Sequence, residues 1–81
     1  FEGGYFIFPN PTTDIVRITN TDNNKLFDVE FFDAIGKHVY EQKNILNQDW
    51  IDLSNLPEGV YFVRLVERGE VITSTKIVKL D

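Results

Sequence analysis

Eighty-one residues, 42% hydrophobic and 14% aromatic, make one domain with one core, and thirteen acidic against eight basic side chains, a net charge of −5, oppose electrostatic binding to nucleic acid or an anionic membrane surface. The absence of cysteine excludes disulfides, thiolate metal sites and a cysteine nucleophile. No apolar run approaches the roughly 18 residues that span a bilayer, no signal-peptide pattern opens the chain, and it starts without Met at Phe1-Glu2-Gly3-Gly4, so it reads as a linker remnant (residues 1–4) followed by a domain (residues 5–81) cut from a longer protein.

Tyr5-Phe6-Ile7-Phe8 reads as a first strand, stopped by Pro9-Asn10-Pro11, where two prolines remove backbone donors. Ile15 to Thr19 is a β-branched second strand, and the polar cluster Asn20 to Lys25 reads as the turn of a hairpin. Phe27, Val29 and Phe31 alternate with Asp28 and Glu30, predicting a third strand with one buried face. Asp33 to Lys37 is a turn with Gly36 in the left-handed position, and His38 to Glu41 is a fourth strand. Ile45-Leu46 falls in a polar crossing before a fifth strand at Trp50 to Leu53.

A turn through Pro57 and Gly59 then enters Val60 to Val66, apolar at six of seven positions. Such a strand is expected to be central and covered on much of both faces. Glu67 to Glu70 is a hairpin turn, and Val71 to Leu80 is the last strand. Seven short strands with turn chemistry between them and no helical period predict an all-β, seven-stranded antiparallel immunoglobulin-like β-sandwich, with a small closed barrel as the alternative.

Catalytic material is scarce. His38, the one histidine, would need Ser54 or Ser74 as nucleophile, and neither carries nucleophile-elbow glycines, so His38 reads as a surface residue on a strand. Asp28 and Glu30 stand roughly 7 Å apart on one strand face, a spacing open to glycosidase carboxylates but better read as a solvated face. Asp22-Asn23-Asn24 offers oxygen ligands for calcium without the bidentate Glu of an established loop, and is read as a turn. Trp50 and Tyr40 would stack on a sugar if exposed, and core packing is the favoured reading of both. In the last strand Thr73, Thr75 and Ile77 share one side and Ser74, Lys76, Val78 and Leu80 the other, which fits a charge-blunted edge and a docking element equally well.

Four stretches, taken together, resemble one family. Phe8-Pro9-Asn10-Pro11-Thr12 with Asp14-Ile15-Val16, Phe31-Phe32-Asp33 with Gly36-Lys37, Asp52-Leu53-Ser54 with Leu56 and Gly59 to Leu65, and Thr75 to Leu80 resemble, in order and spacing, the carboxy-terminal sorting domain of the type IX (Por) secretion system of Bacteroidetes. The resemblance covers Tyr5 to Leu80. It implies a non-catalytic export signal, without cofactor or metal, attached to the end of a cargo protein. The cargo would reach the periplasm by a separate signal and be carried across the outer membrane to the cell surface or medium.

Its implied partners are the outer-membrane translocon, shuttle and sortase-like proteins of that system and the amino-terminal cargo of the same chain, with neither nucleic acid nor membrane insertion; weak self-association through edge strands is a further expectation. Pro9, Asn10, Pro11, Gly59 and Tyr61 are carried over as family motif residues, and Thr75, Lys76, Ile77, Val78, Lys79 and Leu80 as the stretch read by the machinery. Family ends often carry two adjacent lysines, whereas Thr75 precedes Lys76 here. On this reading Lys79→Ala changes stability by less than about 0.5 kcal/mol yet impairs export. The alternative is a small surface sandwich that binds glycan or protein through Trp50.

Overall fold

The computed structural model describes residues 4–20, 26–46 and 50–80. Seven strands follow in order: β1 (Tyr5–Phe8), β2 (Ile15–Asn20), β3 (Phe27–Phe32), β4 (His38–Ile45), β5 (Trp50–Asp52), β6 (Gly59–Glu67) and β7 (Glu70–Lys79). They make two antiparallel sheets, β1-β2-β5 and β4-β3-β6-β7. Among the described residues strand pairing stops at β1, β5 and β4, and the far edge of β7 carries one isolated parallel bridge, Thr12 with Lys79. The molecule is therefore a sandwich and not a closed barrel.

Alternation decides the core. Phe27, Val29 and Phe31 turn inward from β3, and Val63, Leu65 and Ile77 join them from β6 and β7. Tyr5, Val16, Ile18 and Ile51 face them from the other sheet. The Tyr5 ring meets the Phe27 ring edge-on at 5.3 Å, a favourable aromatic geometry, and its phenol donates to Glu67 Oε1 at 2.7 Å, tying the two sheets. Among the described residues no buried side-chain polar atom lacks a partner.

Three expectations change. The segment from β2 to β3 is no hairpin, because β2 pairs with β1 and β5 while β3 pairs with β4 and β6, so the chain crosses between sheets; residues 21–25 lie outside the described ones. β4 runs on to Ile45, which pairs with Phe27 and whose side chain is fully buried in the core. β6 is central, between β3 and β7, but covered on one face only: Val60 is 37% and Phe62 44% exposed. An apolar outer face on a central strand needs another explanation than the core.

Turn chemistry follows the residues. Arg68 and Gly69 both take positive φ, 52° and 78°, as the two-residue connection of β6 and β7 requires. Asp52 Oδ1 accepts the Ser54 amide at 2.8 Å, and the Ser54 hydroxyl and amide together hold the Asp52 carboxyl below its ordinary range. Tyr61, at the start of β6, donates its phenol to the Pro57 carbonyl four residues upstream, much as the tyrosine corner of immunoglobulin-like sandwiches does.

Burial raises the Tyr61 phenol above its ordinary value, and the Asp33 carboxylate adds to the effect. An unfolded tyrosine ionises near about pH 10, so above that the unfolded chain sheds a proton that the folded chain keeps. This contribution to stability is fully present below about pH 10 and is lost as pH rises through the raised native value. Urea midpoints across the alkaline range are expected to fall more steeply for the native sequence than for Tyr61→Phe. Equal slopes would show that Tyr61 does not carry the effect.

Candidate functional site

The Pro9-Asn10-Pro11 segment and the terminal stretch meet at the outer edge of β7. Pro9 and Pro11 flank Asn10, and both peptide bonds preceding the prolines are cis. Asn10 Oδ1 accepts the Val78 amide at 3.0 Å, and its Nδ2 donates to the Lys76 carbonyl at 3.1 Å. A side-chain amide offers one donor and one acceptor in a plane, so Asn10 pairs with β7 as a peptide group of a neighbouring strand would. The backbone then takes over: the Thr12 amide donates to the Val78 carbonyl at 2.9 Å and the Leu80 amide to the Thr12 carbonyl at 2.7 Å. Thr12 is 2% exposed, and its hydroxyl donates to the Ile15 carbonyl at 2.7 Å.

This clasp closes the carboxy-terminal part of the β7 edge, from Lys76 to Leu80. Asn10→Ala removes two hydrogen bonds at a solvated site, so the expected loss is about 1–2 kcal/mol. The same change should speed hydrogen exchange of the Val78 amide well beyond that of a core amide such as Val63. Unchanged protection at Val78 would mean that the clasp contributes nothing.

The six terminal residues divide by face. Thr75, Ile77 and Lys79 turn inward; Ile77 is fully buried and Lys79 only 6% exposed. Lys79, read from the sequence as a surface lysine of little weight for stability, is instead packed between its β6 partner Gly59 and the Thr12 bridge. Gly59 sits at φ +150°, a conformation that side chains strain to adopt. Lys76, Val78 and Leu80 turn outward, Lys76 exposed and Leu80 47% exposed.

Register places Phe62 opposite Lys76 and Val60 opposite Val78. Val60, Phe62, Lys76, Val78 and Leu80 thus form an accessible apolar strip with one cation in it. The sequence reading missed Val60 and Phe62 because an unbroken apolar run looks the same whether core or partner covers its second face.

The other candidates lie apart. His38 is exposed on β4, separated from Ser74 on β7 by β3 and β6, and Ser54 stands in the turn after β5, so no nucleophile and base come together. Asp28 accepts the Asn44 amide at 3.0 Å and Glu30 pairs with Arg64 at 2.9 Å, so both carboxylates are engaged within the sheet. Tyr40 packs edge-on against Phe31 at 5.7 Å. Trp50, expected in the core, is 57% exposed, with the Arg17 guanidinium 4.2 Å over its ring. Its inward neighbour Ile51 fills the core position, and Trp50 falls on the other side of the pleat. The calcium candidate Asp22-Asn23-Asn24 lies outside the described residues.

The family described as "Secretion system C-terminal sorting domain" matches residues 6–79. The ulvan lyase NLR42 of Nonlabens ulvanivorans is 32% identical to this chain over 73 residues, which are 89% of this chain and 14% of the lyase. The chain therefore spans about one seventh of the length of that curated relative.

Proposed function

We propose that this chain, which belongs to the family of secretion system C-terminal sorting domains, is read by its export machinery through the strip Val60, Phe62, Lys76, Val78 and Leu80. It is a non-catalytic sorting domain, and as a member of that family it marks an attached amino-terminal cargo for export by the type IX system to the cell surface or medium. The observation that carries the finer reading is the apolar outer face of β6 and β7, which the core does not use. A central strand with Phe62 at 44% exposure is suited to a protein partner.

On this reading residues 5–81 are the sorting domain and residues 1–4 the remains of a linker. Thr75, Ile77 and Lys79 hold β7 against the sandwich, while Lys76, Val78 and Leu80 meet the partner. Pro9, Asn10 and Pro11 shape the clasp, and Gly59 and Tyr61 shape the entry to β6. The partners we assign to the strip are the outer-membrane translocon and its shuttle protein, with a sortase-like protease acting upstream of Tyr5. The cargo we assign is an enzyme, as the lyase relative is.

The test is a fluorescent protein bearing a periplasmic export signal and fused ahead of residues 1–81, expressed in a Bacteroidetes host. Cargo at the surface or in the medium, lost when the type IX translocon is disabled, is the expected result. Retention in the periplasm with the domain folded would overturn the reading. A second reading, sugar binding, rests on the register row Phe8, Arg17 and Trp50 across the three-stranded sheet, where two exposed aromatic rings flank a cation. Glycan binding lost in Trp50→Ala, together with periplasmic retention, would favour it.

A further inference from the structure

We propose that Glu30, His38 and Glu41 form a binding site for a divalent transition-metal ion of the Zn2+ class, on the outer face of β3 and β4. The proposal is independent of the sorting function.

On a regular strand His38 and Glu41, three residues apart, would point to opposite faces. The register of β3 with β4 shifts between Phe31, which faces Tyr40, and Phe32, which faces His38. Val39 is the extra residue of this bulge, and the offset brings His38 and Glu41 to the same face. Glu30 stands directly opposite Glu41 on that face, and Phe32 directly opposite His38. One ligand atom from each of Glu30, His38 and Glu41 lies within 4.8 Å of the other two.

Two carboxylates directly opposite each other repel, so the pair destabilises the strand pairing unless a cation sits between them. Arg64 meets only part of this need. Its Nε and NH2 groups both lie 2.9 Å from Glu30 Oε1, which among the described residues leaves the second oxygen of Glu30 and the Glu41 carboxylate. The His38 imidazole stands edge-on to the Phe32 ring at 5.4 Å, with planes at 82°, which limits how the ring turns. One imidazole nitrogen with two carboxylate oxygens suits Zn2+ and its neighbours; Ca2+ and Mg2+ favour all-oxygen shells with more ligands. A fourth position would stay open to water. The ion would fasten the edge strand β4 to β3.

The experiment titrates ZnCl2 into the isotopically labelled 81-residue chain and follows the amide and imidazole resonances. Saturable shifts centred on Glu30, His38 and Glu41 are expected, and CaCl2 should not reproduce them. His38→Ala and Glu41→Gln should each weaken Zn2+ binding by about tenfold or more. Glu41→Gln keeps the size and place of an exposed side chain, so it decides the matter if the histidine variant folds poorly. Absence of saturable shifts at His38 in millimolar Zn2+, or an affinity unchanged in Glu41→Gln, would overturn the site.

Discussion

Phe31→Ala is expected to lower the stability of the domain by about 3–5 kcal/mol, the usual cost of emptying a fully buried aromatic position. Phe31 is fully buried on the middle of β3, opposite Tyr40 on β4 and Val63 on β6, so the cavity has strands fixed on both sides and little room to collapse. The edge-on contact with Tyr40 at 5.7 Å is lost as well. A chain of this length has a total stability of about 4–12 kcal/mol, so the variant would lose about a quarter of it or more. Urea unfolding of both chains measures it. A shift of less than about 1 kcal/mol would mean that β3 does not form the centre of the core.

The double variant Lys76→Glu with Leu80→Asp is expected to cut export of the fluorescent fusion by about tenfold or more while leaving the stability measured in urea within about 0.5 kcal/mol of the native chain. Both side chains point outward, so their replacement disturbs little packing, and the Leu80 amide that reaches Thr12 is backbone and survives. A docked apolar surface, by contrast, does not accept buried acidic groups without partners. Full export of this variant would remove the strip from consideration. Lys79 belongs to the opposite arm of the comparison: at 6% exposure it serves packing, and its loss should register in the urea midpoint first.

Much of the strand order could be read from local pattern. The alternation of Phe27, Val29 and Phe31, the stop at Pro9 and the Arg68-Gly69 turn each act over a few residues, and each appears as expected. What escaped depends on residues distant in the chain. Nothing near Asn20 announces that β3 will join the other sheet, since that is decided by which apolar faces find each other. The Asn10 amide meets Lys76 and Val78 across more than sixty positions, so a loop asparagine gave no local sign of its role.

The faces of β7 were ambiguous for a related reason. Lysine is normally a surface residue, and the Thr12 bridge, together with pairing to Gly59, makes the Lys79 position an interior one. The bulge at Val39 is likewise invisible in the residues, yet it alone turns His38 and Glu41 to the same side.

Thr12 and Lys79 run in the same direction where they meet. Cargo tethered ahead of Tyr5 would pull the clasp backward along that shared axis, while a partner gripping the end of β7 pulls forward. The two neighbours are then drawn past each other, so the bonds of Asn10, Thr12 and Leu80 share the load at once rather than tearing open one after another. Loaded in shear, such a clasp resists more force than the same bonds broken singly.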